Sequence, residues 1–344
     1  MMNGIIENYK EFIDIGDAEP ISMGEGGTPL LRSEFLSRKI NADIFIKVEG
    51  CNPSGSFKDR GMVVAVCMAL HNKKKVLVCA STGNTSASAS AYAAKFGLVS
   101  AIIVPNGNIA KGKLSQAMAF GAKIIAIDGS FDNALDIVRK LEDYDEIEIV
   151  NSINPYRIEG QKSAAFEILD EIGEIDSLCI PVGNAGNITA YWKGFNEYSK
   201  KFNYKLPKMY GFQAEGASPI VKGEVVENPE TIATAIRIGN PASWDKAKEA
   251  VTNSNGGIHS VSDEEIIDSY KNLARKDGIF CEPASAAGIA GLIKNSSKYN
   301  FSGQKIVCVV TGNGLKDPET SEKHANTKIF EVNSNIDDIL KVIR

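Results

Sequence analysis

Four short stretches of this sequence carry side chains able to do chemistry. The first is Asn52-Pro53-Ser54-Gly55-Ser56-Phe57-Lys58-Asp59-Arg60-Gly61, a turn that runs straight into the apolar run Met62-Val63-Val64-Ala65-Val66. Lys58 falls in the first turn of the helix this predicts. A cation there opposes the positive end of the helix dipole. The same field favours the neutral amine, the nucleophilic form that attacks a carbonyl carbon. A solvated first-turn lysine beside Asp59 also meets this spacing, and a lone lysine does not decide between them. The second stretch is Ser81-Thr82-Gly83-Asn84-Thr85-Ser86-Ala87-Ser88. Gly83 allows a tight turn, and hydroxyls beside the N–H groups of a helix start make an anion pocket that would fit a carboxylate. Ordinary capping by Ser81 or Asn84 is the other reading, though capping needs one such residue and six polar ones are present.

The third stretch, Gly183-Asn184-Ala185-Gly186-Asn187-Ile188-Thr189, follows an apolar run and opens a helix. Successive backbone N–H groups in that setting wrap a phosphate, where a plain turn would only reverse the chain. It is not a dinucleotide fingerprint, because G-x-G-x-x-G is absent here and elsewhere. The fourth, Thr311-Gly312-Asn313-Gly314-Leu315-Lys316-Asp317, places the neutral hydroxyl of Thr311 at the end of a strand. Taken alone, it reads as a turn closing a core strand. A fifth stretch misleads. Gly107-Asn108-Ile109-Ala110-Lys111-Gly112-Lys113-Leu114 approaches the nucleotide-binding pattern G-x-x-x-x-G-K-[ST], but Leu114 stands where magnesium needs a hydroxyl. Lys111 and Lys113 could still face an anion in a cleft or stay solvated.

Apart from the lysine stretch, these stretches follow predicted strands. Residues 76–80, 101–104, 123–127, 147–150, 177–182, 209–213 and 305–310 are apolar and rich in β-branched residues. Such runs belong to strands covered on both faces, as in parallel sheets. Helical patterns fill 57–71, 84–96, 111–120, 131–143, 159–171, 187–201, 262–276 and 284–294. Strand–helix alternation predicts an α/β protein, in which ligands bind where strands end. The segment 222–256 is the least regular and reads as surface loops.

With 344 residues, 43% hydrophobic and 24% charged, the chain has room for about two packed domains. A net charge of −5 offers no bulk field for nucleic acid or anionic membrane. No apolar run approaches the length of a membrane span. The start shows no signal peptide. The six cysteines, 51, 67, 79, 179, 281 and 308, form no close pair, and those inside apolar runs, such as 79, 179 and 308, read as buried thiols of a reducing cytoplasm. Three scattered histidines predict neither a metal site nor a histidine triad.

Together the stretches are more specific than any one of them. They resemble the pyridoxal-phosphate enzymes of the tryptophan-synthase β-subunit fold type (fold type II), and within these the threonine synthases. The likeness runs along nearly the whole chain. Met23-Gly24-Glu25-Gly26-Gly27-Thr28-Pro29-Leu30 is similar to the family's opening motif, and 52–62 to its cofactor-lysine motif. Residues 80–88, 151–162, 183–189, 236–244 and 311–318 follow in the family's order. The resemblance implies a two-domain fold, each domain a mostly parallel sheet flanked by helices. Residues 60–150 would be an inserted small domain and 1–59 with 151–344 the large one.

The resemblance also implies a lyase that eliminates phosphate from O-phospho-L-homoserine and adds water to give L-threonine. Lys58 would hold pyridoxal 5'-phosphate and then shuttle protons. Asn84 would meet the ring's 3'-oxygen, Thr311 its nitrogen, and Gly183, Asn184, Ala185, Gly186 and Asn187 its phosphate. Ser81, Thr82 and Thr85 would receive the substrate carboxylate. Arg157 would hold the substrate phosphate, helped by Ser152, Asn154 and Lys113. A neutral partner at the ring nitrogen would leave the ring a weaker electron sink than a carboxylate partner would. A homodimer follows from the likeness alone. The absence of a long segment before Met23 argues against the S-adenosylmethionine activation of extended plant-type members. Other enzymes of the same fold type, a threonine or serine dehydratase or a cysteate synthase-like β-replacement enzyme, are the alternatives. The stretches 236–244 and 311–318, and a phosphate loop less glycine-rich than that of the dehydratases, favour the threonine synthases over the dehydratases, and the presence of Lys58 argues against a non-catalytic relative.

Overall fold

The computed structural model describes residues 4–106, 111–324 and 328–343, the side chains at 111–113 and 132 excepted. Its strands are β1 (Leu30–Arg32), β2 (Asp43–Val48), β3 (Val76–Ala80), β4 (Val99–Pro105), β5 (Lys123–Ile127), β6 (Ile147–Ile149), β7 (Ser177–Pro181), β8 (Lys208–Ala214), β9 (Gly257–Val261) and β10 (Lys305–Val310). They form a six-stranded sheet in the order β1-β2-β10-β7-β8-β9 and a four-stranded sheet in the order β5-β4-β3-β6. Every pairing is parallel except β1 with β2. Parallel pairing follows from the intervening helices, which cover both faces of the central strands β7 and β10.

Seven strands and most helices lie where the apolar runs predict them. β5 departs from the expectation of two covered faces. It is an edge strand, and Lys123, Ala126 and Ile125 of it are exposed. The helix expected over 159–171 is two helices, Pro155–Gln161 and Ser163–Ile172. The first is set by Asn154, whose side chain accepts from the Tyr156 N–H, with Pro155 at the first helical position. β1, β2 and β9 were not anticipated. Nor was the helix Trp244–Asn253, which corrects the reading of 222–256 as surface loops. Ala233, Thr231 and Ile236 of that segment are buried.

Two features of packing place the reactive stretches. The helix Lys58–His71 lies against the helix Pro155–Gln161, and they touch through glycines. A Cβ on Gly160 would stand 1.8 Å from the Arg60 carbonyl oxygen, and one on Gly61 would stand 2.5 Å from that of Arg157. Gly160→Ala is therefore expected to cost at least about 3 kcal/mol of stability, the upper end for overpacking, because backbone rather than a movable side chain must yield. A fall in the denaturant midpoint with unchanged slope checks this. The start of the same helix is pinned by charge. Arg60 bonds Glu49 at 2.7 Å and Glu167 at 2.6 Å, and Lys47 bonds Glu167 at 2.8 Å. All four lie in or at the edge of the interior, where removing one partner strands the others.

Among the described residues no helix is long and apolar enough to cross a membrane, and no group of three or more His, Cys, Asp or Glu side chains could hold a metal ion.

Candidate active site

The chain leaving β10 organises the site. The Thr311 carbonyl accepts from the Phe57 N–H at 3.0 Å, and Ser56 pairs with Gly312. On its other side the Gly312 carbonyl accepts from the Glu282 N–H at 3.0 Å, and Cys281 pairs with Asn313. One short segment thus fixes both the turn that carries Lys58 and the entry to the helix Pro283–Asn295. The stretches at 81–85 and 183–187 face it across a cleft of about 1120 Å³. Lys58, Ser81, Thr82, Asn84, Thr85, Ser152, Gly183, Asn184, Ala185, Gly186, Asn187 and Thr311 all line this cleft.

Lys58 is not a solvated partner of Asp59. Asp59 is fully buried and turns away, taking hydrogen bonds from the Ser54 N–H and from the hydroxyls of Ser54 and Ser88. The Lys58 amine lies 4.1 Å from the centre of the Phe57 ring. Burial pushes its pKa down to about 7, the Arg157 guanidinium pushes the same way and Glu282 opposes. A large neutral fraction at neutral pH makes it a nucleophile toward a carbonyl.

The stretch at 81–85 does not cap its helix by a side chain. The helix Asn84–Phe96 has Gly83 as its N-cap and no side-chain cap bond. Its first N–H groups stay available toward the cleft, as an anion pocket requires. Asn84 is buried, and its Nδ2 donates to both oxygens of Glu282, at 2.9 and 3.1 Å.

The loop 183–187 is a cradle rather than a plain turn. No turn or loop bond among the described residues uses the backbone N–H groups of 183–186. Ala185 holds a left-handed conformation, φ +65°, which few non-glycine residues adopt without support. That support comes from 241–243: Ser243 N–H donates to the Asn184 carbonyl at 3.1 Å. A Cβ on Gly183 would reach within 3.0 Å of the Ile236 Cα. Residues 225–242, expected at the surface, supply a wall of the cleft and the brace for this loop.

Arg157 and Asn154 are placed differently from the residues above. Asn154 is engaged within its own turn, donating to Glu148 at 2.7 Å and to the Ile149 carbonyl at 2.8 Å while capping the helix. It does not line the cleft, so a direct bond to substrate from this amide is not supported. Arg157 is 1% exposed, sits behind the Lys58 turn and, like Asn154, does not line the cleft. Its Nη1 donates to the Val150 carbonyl at 2.6 Å, and Nε and Nη2 have no partner. Burial draws its pKa down to about 10. Two orphaned donors on a buried cation are costly unless an anion meets them. The Lys113 side chain lies outside the described residues.

Glu282 was missed by sequence reasoning, and so were Lys316 and Gln116, which bond each other at 2.6 Å at the edge of the cleft. A signal existed for Glu282: a carboxylate directly before Pro283, at the head of a helix of small residues.

These residues fit an aldehyde cofactor that bears a phosphate. A poised amine could hold the aldehyde carbon, the unbonded N–H groups of 183–186 could hold the phosphate, and Asn84 and Thr311 could meet polar atoms of a ring between them. The orphaned donors of Arg157 lie buried beside this arrangement rather than on the cleft wall.

Comparison with known proteins agrees. Residues 21–312 match the family model described as pyridoxal-phosphate dependent enzyme. The threonine synthase of Halalkalibacterium halodurans is 56% identical over 92% of this chain and 91% of its own. Those of Mycobacterium tuberculosis and Methanocaldococcus jannaschii are 55% and 48% identical, over 93% and 95% of this chain and 90% and 85% of theirs. Among solved structures, cysteine synthase from Entamoeba histolytica superposes with a TM-score of 0.76 at 23% identity, covering 93% of this chain and 96% of that one. Maize serine racemase gives 0.75 at 20%, covering 94% and 97%. These two likenesses carry the fold.

Proposed function

The chain belongs to the pyridoxal-phosphate dependent enzymes, and within them to the threonine synthases; on that premise we propose that it converts O-phospho-L-homoserine and water to L-threonine and phosphate. What supports this reading is one poised amine with two separate sets of unbonded donors near it, the N–H groups of 183–186 and the Nε and Nη2 of Arg157. A dehydratase acting on serine or threonine needs a place for the cofactor phosphate only. A substrate that itself bears a phosphate needs the second.

Lys58 is the residue that holds pyridoxal phosphate, with the N–H groups of Gly183, Asn184, Ala185, Gly186 and Asn187 on its phosphate and Asn84 and Thr311 on its ring. When bound, the cofactor supplies a delocalised system that makes the hydrogen on the substrate's α-carbon removable. Ser81, Thr82 and Thr85, with the free N–H groups of the helix start, orient the substrate carboxylate. Lys58 Nζ, neutral near pH 7, takes the α-proton and returns protons along the substrate's carbon chain. Arg157, buried behind the Lys58 turn, draws the substrate phosphate inward past Ser152, which lines the cleft. That placement puts the leaving group at one end of the substrate and its carboxylate at the other, with the carbon chain across Lys58.

Residues 60–150 act as a smaller domain inserted in a larger one made of 1–59 and 151–344. The protein works in the cytoplasm as a homodimer, without nucleic acid or membrane partners. Its buried free thiols suit a reducing compartment.

The deciding experiment is phosphate release from O-phospho-L-homoserine, beside serine, threonine and O-phosphoserine. Threonine and phosphate in equal amounts are expected from the first substrate. Ammonia with a keto acid from serine or threonine would assign a dehydratase, and turnover of O-phosphoserine with an added nucleophile would assign a β-replacement enzyme.

A further inference from the structure

The hydrogen bonds around Thr311 can be resolved one proton at a time. Ser285 Oγ accepts from the Thr311 N–H at 2.8 Å and from the Gly312 N–H at 3.1 Å. Both its lone pairs are taken, so its own hydrogen must go outward. The Gly312 carbonyl is 3.5 Å away and Thr311 Oγ1 is 3.0 Å away, so the hydrogen points to Thr311. The Thr311 hydroxyl lies 3.2 Å from Glu282 Oε1, and a carboxylate only accepts. The Thr311 hydrogen is therefore directed at Glu282. One lone pair on Thr311 Oγ1 is left, on a residue that lines the cleft.

Glu282 is held in this role from every side. It is 5% exposed, and Asn84 Nδ2 donates to both its oxygens. Its carboxylate covers Gly312 so closely that a Cβ there would stand 2.5 Å from Oε1. Burial raises its pKa overall, opposed by the amide of Asn84, the Lys316 ammonium, the Thr311 hydroxyl and Lys58. With Lys58 neutral or holding the cofactor, Lys316 is the cation that faces it, and it favours the ionised form.

We propose that Glu282 is a positioning residue that fixes the hydrogen-bond sense of Thr311, so that Thr311 accepts from a protonated ring nitrogen of the cofactor. This rests on the reading above, in which pyridoxal phosphate is bound with its ring nitrogen at Thr311. A hydroxyl whose hydrogen is already committed can bond a ring nitrogen only if that nitrogen carries the proton. Glu282 then supplies, through one hydroxyl, the negative charge that balances a protonated ring. The weak electron sink expected of a neutral partner becomes a strong one, with the carboxylate one residue further out.

Glu282→Gln removes the negative charge with little change in shape. Its NH2 group can donate to Thr311 only from the Oε1 position, where it would face the Asn84 amide at 2.9 Å, and its oxygen in that position still accepts from both. In either arrangement the charge that balances a protonated ring nitrogen is gone, and the nitrogen is expected to lose its proton. The test uses holoenzyme loaded with pyridoxal phosphate labelled with 15N in the ring and read by 15N NMR. The natural chain is expected to show the upfield resonance of a protonated pyridine. E282Q is expected to move it downfield to the unprotonated position, with the label still trapped on Lys58 by borohydride. A resonance at the unprotonated position in the natural chain overturns the proposal, and so does an unmoved resonance in E282Q. If E282Q does not fold, Gly312→Ala, whose Cβ displaces the carboxylate, is expected to give the same shift, and no shift there overturns the proposal too. Failure of the natural chain to trap label on Lys58 appears before any NMR and overturns the underlying reading instead.

Discussion

Lys58→Ala is expected to lower turnover of O-phospho-L-homoserine by about 10^4-fold or more, since one nitrogen is both the cofactor's anchor and the proton carrier. The fold is expected to survive. A lysine whose pKa falls from 10.5 to about 7 on folding weighs against the folded state at every pH where the unfolded chain holds the proton. Between those two values the unfolded chain binds more protons, so this residue's contribution to stability rises with pH and is most unfavourable below about 7. Removing it leaves the cofactor-free chain at least as stable at neutral pH, apart from the lost contact with the Phe57 ring. The same shift sets a pH dependence. Attachment of the cofactor to the natural chain requires the neutral amine, so its rate should rise with pH through a midpoint near 7 rather than 10.5. Absorbance on mixing, followed by borohydride reduction and peptide mapping, reads both claims. Residual activity in Lys58→Ala without an added primary amine would remove Lys58 from the mechanism.

The pattern of legibility follows from what each stretch asks of its neighbours. Central strands such as β7 and β10 are buried on both faces, so their sequence is one apolar run that reads directly. β5 carries a similar run but lies at an edge, and nothing local distinguishes an edge from a centre. The stretches at 81–85, 183–187 and 311 follow strands that read directly, and with the turn at 58 they line one cleft; none was decisive alone, and their combination along the chain was the legible feature. Asn154 could not be placed from sequence, because an amide that caps its own turn and one that faces a ligand share the same pattern. Glu282 was invisible for a different reason. Its importance lies in partners 198 and 29 residues away in the chain, Asn84 and Thr311, which only the fold brings to its two oxygens. The segment 225–242 likewise looks irregular because its backbone is shaped to brace the 183–187 loop rather than to form a repeating element.

Arg157→Ala is expected to raise KM for O-phospho-L-homoserine by about 10^2-fold, the scale of losing charge-assisted hydrogen bonds to a buried anion. Affinity for pyridoxal phosphate should change far less. The prediction follows from where the unpaired donors are. Nη1 is held by the Val150 carbonyl, so the guanidinium cannot swing toward the 183–187 loop without breaking that bond, and Nε and Nη2 are the nitrogens left for a ligand. The arginine also acts on Lys58 through its charge, pushing the amine toward its neutral form. Alanine removes that push, so the midpoint for cofactor attachment should move up from about 7, although burial, the larger cause, remains. Stability offers a separate check. A buried cation with two unpaired donors is a burden on the chain without ligand, so its loss should cost less than a cavity of this size otherwise would. Phosphate or a substrate phosphonate should raise the melting temperature of the natural chain and do so far less in the variant. If cofactor affinity falls by the larger factor instead, Arg157 serves the cofactor phosphate, and the two anion sites have been exchanged.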